Sequence, residues 1–394
     1  MEIREIRAQI PALANTVYLN AGGIGPNPKP VSDTLARLAQ EVAFFGPDGM
    51  AFQREEFTQA NATRARLAGF FGVDKDEIAL LRSTAEGFDI VGHGLQWREG
   101  DEVIFGAGDH PAARAIWAIL AQRFGIRPVK FELRDVGPDE IVEDVRRLIT
   151  SRTRLISISH VTSENGLCVP ARQLAELAHA HGAYLMLDGC QAVGQFPINP
   201  RALGADFYAA GTYKWLLAPF GTGFLWIRKE LLDEVRPSWV GAGGTVRFDP
   251  VGPVWEPLPS AQRYEFGARY WPVVPAMKAA VEFVDGVGLD FVRARSRQMA
   301  DRMRARLAEI DGAIDFTPSS DELRTGMVGV AVKGMEGREL MERLRSRNIH
   351  IRANRGPDGI TGVRLCLAFF NDEDDVDYTA EAIADAAALA RARG

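Results

Sequence analysis

From Ile78 onward the sequence alternates short apolar runs with helical patterns, and this alternation restricts the fold more than any other feature. Ile78–Leu81, Glu102–Phe105, Pro128–Glu132 and Arg154–Ser159 read as strands. Glu86–Gln96, Ala112–Phe124, Glu140–Thr150 and Ala171–His181 read as the helices between and after them. Three further apolar runs follow, Tyr184–Leu187, Asp206–Ala210 and Gly223–Arg228. Such alternation builds a mainly parallel sheet with helices on both faces, joined by right-handed crossovers. Leu155–Ile158 and Tyr184–Leu187 are continuously apolar, as strands covered on both faces must be. Ligands of these sheets sit outside the carboxyl ends of the strands.

The flanks differ from this middle. Val17–Asn20 reads as a short strand breaking into the Gly-rich turn Ala21–Pro26, and helical patterns run over about Pro30–Phe45 and Phe52–Phe71. Gly241–Pro275 is dense in Gly, Pro and Trp and lacks periodicity; a stretch of that length inside a compact protein is usually functional. One long Arg-rich helix is expected over Gly286–Ile310. Gly326–Val332, Arg338–Arg347, Ile349–Arg352, Val363–Leu367 and Asp374–Ala392 then suggest a smaller α+β unit. The expected division is a large domain over 16–270 and a small one over 271–394 together with 1–15.

At 394 residues the chain suffices for two domains. Its net charge of −6 and the lack of a basic run argue against a nucleic-acid partner. No apolar stretch approaches the ~20 residues of a membrane helix, and the N-terminus lacks a signal-peptide core; a cytoplasmic protein without a membrane partner is expected. Cys168, Cys190 and Cys366 show no paired spacing, and the scattered histidines offer no metal-ligand set, so no metal is expected.

Within the alternating region, one carboxylate, one amide, one phenol and one lysine fall at strand ends: Asp188, Gln191, Tyr213 and Lys214. About a hundred residues upstream, Arg82-Ser83-Thr84-Ala85-Glu86-Gly87 opens a helix with a capping box, and a helix start favours an anion. With this D-x-x-Q … Y-K-W block, the chain resembles the class V aminotransferase family. These are fold-type I enzymes that use pyridoxal 5′-phosphate (PLP), and the likeness is greatest to the isopenicillin N epimerase-like, cysteine desulfurase-like and kynureninase-like branch. The resemblance runs from Tyr18 to Arg364. It implies a mainly parallel seven-stranded sheet sandwiched by helices, a smaller C-terminal α+β domain, and a C2 homodimer with its active site at the subunit interface.

The resemblance also assigns roles. Lys214 would form the resting Schiff base. Asp188 would keep the pyridine nitrogen protonated so that the ring accepts electrons from the substrate carbon. Gln191 would meet the phenolic oxygen, and His110, within Asp109-His110-Pro111-Ala112, would stack on the ring. Thr84, Ala85 and Glu86 would surround the phosphate, with the Tyr213 hydroxyl as a further donor. Ser163, in His160-Val161-Thr162-Ser163, would lie beside the cofactor. In the family's R-x-E-x-G-T segment the Thr is Ala268 here, so Gly267 and Thr245 are expected to approach the phosphate of the other subunit. Arg364 would hold the substrate carboxylate, with Asn20 and Ala21 lining the same pocket.

The expected reaction is at the α carbon of an amino acid, first of all of the aminotransferase type. A lyase (C–S or other β-elimination) or an isopenicillin N epimerase-like epimerase is the alternative. The segment Arg352–Gly362 holds no Cys, so desulfurase activity through a loop persulfide is not expected. Two readings from other classes are weaker. A non-catalytic binding protein on this fold would not need Asp188, Lys214 and Arg364 together. A nicotinamide dehydrogenase would need a G-x-G-x-x-G after the first alternating strand, where none occurs.

Overall fold

A computed structural model of the chain describes residues 2–46, 50–356 and 359–393. The N-terminal part carries α1 (Ile3–Ala8), β1 (Val17–Tyr18), α2 (Lys29–Phe45) and α3 (Met50–Phe71). The alternating region follows as β2 (Ile78–Leu81), α4 (Thr84–Gly94), β3 (Glu102–Gly106), α5 (Pro111–Phe124), β4 (Arg127–Phe131), α6 (Pro138–Arg146), β5 (Thr153–Ser159) and α7 (Ala171–Ala180). It ends in β6 (Tyr184–Asp188), β7 (Phe207–Gly211) and β8 (Gly223–Ile227). These strands form one seven-stranded sheet in the order β2-β8-β7-β6-β5-β3-β4. Only β8 runs against its neighbours. The central strands are buried almost throughout, which is why their apolar runs show no alternation.

The chain continues with a hairpin, β9 (Thr245–Asp249) and β10 (Val254–Pro257), then α8 (Val273–Val287) and α9 (Leu289–Ala308). The C-terminal part comprises β11 (Ala313–Asp315), β12 (Met327–Val332), α10 (Gly337–Ser346), β13 (Ile349–His350), β14 (Arg352–Arg355), β15 (Thr361–Cys366) and α11 (Glu373–Arg393). Its antiparallel sheet has the order β11-β12-β15-β14, with Met299, Met303, Leu340, Leu344, Val376 and Ile383 among the side chains of its core.

Two elements differ from the sequence reading. The hairpin β9–β10 lies where no periodicity was read; its strands are solvent-facing, so burial imposes no pattern on them. The helix expected over 286–310 is α9, which starts only after Gly288 at φ +92, a conformation that favours glycine; α8, which ends just before that glycine, was not read in the sequence. α8 buries Val274, Met277, Val281 and Val284 in the same core as the large sheet, and so do Ile6 and Ile10.

The N-terminal strand ties the two units together. β1 pairs in parallel with β13, and the amide of Leu19 donates to the carbonyl of His350 at 2.9 Å. Leu19 in turn accepts from the amide of Cys366 at 2.9 Å. The glycine turn after it is thereby delivered to the crevice between the sheets.

Candidate active site

Five strands of the large sheet end at one crevice. Ser83–Ala85 follow β2, Ala107–Arg114 follow β3, Ser163 follows β5, Asp188 ends β6 with Cys190 and Gln191 just after it, and Tyr213 and Lys214 follow β7. The small sheet closes the other side with Arg352–Arg355 and Arg364. The cavity between them measures about 800 Å³.

The floor is made of satisfied polar groups. The Thr84 hydroxyl lies 2.6 Å from Cys190 Sγ and accepts from the Gly211 amide at 2.7 Å, which locks the start of α4 to the ends of β6 and β7. Asp188 is buried, and its Oδ1 accepts from the Cys190 amide at 2.9 Å. Burial pushes the Asp188 carboxyl above its ordinary range, while Lys214, the Cys190 amide and His110 pull it back. Gln191 is fixed at both ends: its amide nitrogen donates to Gly22 O at 2.9 Å, and its oxygen accepts from Trp215 Nε1 at 2.9 Å. One amide hydrogen of Gln191 remains for a ligand.

The turn carrying Lys214 is held from outside. Its carbonyl accepts from the Leu217 amide at 3.1 Å, and Leu217 sits at φ +61, which costs a branched side chain about 1–2 kcal/mol. Asn27 Nδ2 stabilises that conformation by donating to Leu217 O at 2.9 Å and Ala218 O at 3.0 Å. Gly25 donates to Tyr213 O at 2.8 Å and comes so close to Lys214 O that a Cβ would collide with it. Burial raises the Tyr213 phenol to about 12, so its hydroxyl stays a donor.

His110 caps α5, its Nδ1 accepting from the Ala112 amide at 3.2 Å. Solvent reaches its side chain, yet partial burial and then Lys214 lower the imidazole pKa. Asp109 beneath it accepts from the amides of Gly106 at 3.0 Å and Ser159 at 3.1 Å. Burial lifts the Asp109 carboxyl to about 7 despite those donors.

Arg364 differs from the floor. It is 4% exposed; Nη1 donates to Ser163 O at 2.7 Å, but Nε and Nη2 are buried with no partner among the described residues. Gly22 leaves the space beside it: a Cβ there would stand 2.7 Å from Gln191 Oε1 and 3.3 Å from Arg364 Nη2.

Most of the residues singled out in the sequence thus share one cavity: Thr84, Ala85, His110, Ser163, Asp188, Gln191, Tyr213, Lys214 and Arg364. Others do not. Gly22, Gly23 and Ile24 line it in place of Asn20 and Ala21; Ala21 is wholly buried in the core and Asn20 folds under Gly23. The Glu86 carboxylate turns back to Arg82, accepting from its amide at 2.8 Å and its Nη2 at 2.7 Å, so only the backbone of this residue is available to an anion. Thr245 donates to Gly241 O at 2.9 Å and accepts from Trp255 Nε1 at 3.0 Å, away from this chain's cavity. Gly267 borders a separate hollow of about 700 Å³ beside Arg64 and Glu265. Arg352 and Asn354 were missed in the sequence; their place in the wall follows from the β14–β15 register, which no local pattern reveals.

Comparison with known proteins places the chain beside several relatives. Isopenicillin N epimerase of Amycolatopsis lactamdurans is 32% identical over 95% of each chain. A probable cysteine desulfurase of Methanothermobacter thermautotrophicus is 28% identical over 79% of this chain and 77% of its own. Among solved structures, the cystine C–S lyase C-DES in complex with its reaction product cysteine persulfide superposes with a TM-score of 0.88 at 25% identity, covering 96% of this chain and 99% of its own. A lysine-to-alanine mutant of C-DES, with glycine covalently linked to its PLP cofactor, gives 0.87 at 25% identity over the same shares of the two chains. Desulfurases and a C–S lyase among the relatives leave the expectation against desulfurase activity without support. The model of the aminotransferase class-V family matches residues 17–379, and the chain belongs to that family.

Proposed function

We propose that the chain moves the α-proton of an amino acid whose carboxylate is held by Arg364, and that the net reaction is epimerisation at that carbon. The cofactor is PLP. The observation that carries this reading is the Arg364 guanidinium, buried with two unused donors in the same cavity as Lys214 and Asp188. Unmet buried donors are costly, and a carboxylate completes such a guanidinium in a bidentate grip.

The residues fit the cofactor. Thr84 and Ala85, whose N–H groups at the start of α4 have no intrahelical acceptor, line the cavity, where a phosphate would meet them. Asp188, raised by burial, would be the carboxylate that holds the cofactor's ring nitrogen protonated. Bound there, PLP supplies an electron sink that acidifies the α C–H. Lys214, the one lysine in the cavity wall among the described residues, would hold the cofactor, and its amine would serve as the base at the α-proton. Gln191 would offer its remaining amide hydrogen to the cofactor, and His110 would cover its ring.

Epimerisation is supported by the full-length likeness to isopenicillin N epimerase. The second reading, β-elimination with C–S cleavage, is favoured by the likeness to C-DES. A C2 dimer also belongs to the proposal: Trp239, Val246, Phe248 and Trp255 expose apolar surface around Thr245, where a second copy would cover it.

Incubation of the PLP-loaded protein with a panel of L-amino acids in D2O tests the reading. Deuterium should enter at Cα, read by NMR, and chiral chromatography should find the D-epimer. Ammonia with a keto acid, or release of sulfide, would move the assignment to elimination; a keto acid with an aminated cofactor would move it to transamination. No α-exchange with any amino acid would contradict the proposal.

A further inference from the structure

We propose that the substrate carries a second anionic group, and that Arg352 holds it. Arg352 and Arg364 stand directly opposite one another in the antiparallel β14–β15 pair and both line the cavity. Cross-strand partners point to the same face, with Cβ atoms about 5 Å apart. Like charges so placed repel unless anions lie between or beside them. On the other side of Arg364 the register places Gly329, which brings no charge. Neither arginine has an ion-pair partner among the described residues, and three carboxyl groups of the cavity wall are hydrogen-bonded elsewhere. Asp109 takes two backbone amides, Asp188 takes the Cys190 amide, and Glu336 accepts from the Thr361 hydroxyl at 2.9 Å.

One substrate carboxylate satisfies Arg364, which is buried and already tethered to Ser163 O. Arg352 is solvent-exposed at the cavity wall and keeps its full fork of donors. It lies near enough to His110 to help lower the imidazole pKa, after burial and Lys214. The cofactor phosphate does not account for it, because the phosphate belongs at the α4 start on the large sheet, whereas Arg352 stands on the small sheet beside Arg364. The short cross-strand spacing selects compact diacids: amino acids with a carboxylate or sulfinate a few bonds from the α carbon.

The inference rests on Arg364 as the α-carboxylate site, and its test does not require turnover. Calorimetric titration of the purified PLP-loaded protein with glutarate and with butyrate compares a dianion with a monoanion of similar reach, neither bearing an amino group. Glutarate should bind at least about tenfold more tightly, the worth of one charge-assisted contact. Arg352→Gln should erase that preference while leaving butyrate unchanged, and Arg352→Lys should restore part of it. Equal binding of the two acids by the unmodified protein would overturn the proposal. So would an equal loss for both acids in Arg352→Gln, which would mean that the two guanidiniums share one carboxylate. Absence of α-exchange with a retained glutarate preference would instead sink the reaction assigned above and leave this inference standing.

Discussion

The two walls of the cavity are built on opposite principles. On the large sheet, at the ends of β6 and β7, the polar groups are largely met by other parts of the chain: Thr84 by Cys190 and Gly211, Gln191 by Gly22 and Trp215. On the small sheet, Arg364 and Arg352 face the same space with donors left over. A satisfied wall fixes one geometry and suits a resident group; an unsatisfied one waits for a ligand that comes and goes. The difference teaches that chemistry and selectivity are separable here. Changes in the first wall should abolish reaction with every substrate, and changes in the second should alter which substrate is taken.

The sharpest test of that separation is Lys214→Ala. It should remove the visible absorbance of the lysine-bound cofactor and slow α-exchange by at least about 10²–10⁴-fold for all amino acids alike. Loss confined to one substrate would break the comparison. Next in size is Arg364→Gln, for which KM should rise about tenfold to a hundredfold with the cofactor absorbance intact, as measured by steady-state kinetics beside the spectrum. If the cofactor were lost as well, the two walls would not be independent.

The smallest effect concerns the satisfied wall alone. Asp109 keeps its proton in the folded protein up to about pH 7, while an ordinary carboxyl releases it near 3.8. Between those values folding takes up a proton, so stability falls as the pH rises through the window. Asp109→Asn should flatten this slope, by at most about 1.4 kcal/mol per pH unit, in urea unfolding of the cofactor-free protein at a series of pH values. An unchanged slope would show that the carboxylate is already ionised.

The satisfied wall was largely legible in the sequence, because each of its residues follows an apolar strand whose carboxyl end must point at the crevice. Asp188 after Tyr184–Leu187 and Lys214 after Asp206–Ala210 needed only the alternation and the family likeness to be found. The arginine wall was half legible. Arg364 came from its flanking motif, but Arg352 depends on a register that two strands set between them. The glycine turn was recognised, yet its lining was placed at Asn20 and Ala21, two residues early. The close approach that makes Gly22 obligatory involves Gln191, Cys366 and Arg364, all remote in sequence. Side-chain pairing also went unread at Glu86, whose carboxylate neutralises Arg82 within its own turn. The exposed hairpin β9–β10 was missed for want of any burial to pattern it.

The central claim is that Lys214, facing Asp188 across one cavity, is the residue that holds the cofactor. Reduction of the PLP-loaded protein with borohydride, followed by peptide mass spectrometry, addresses it most directly. The account predicts a phosphopyridoxyl adduct on the peptide containing Tyr213-Lys214-Trp215 and on no other. A stoichiometric adduct on a different lysine, or none, would contradict it.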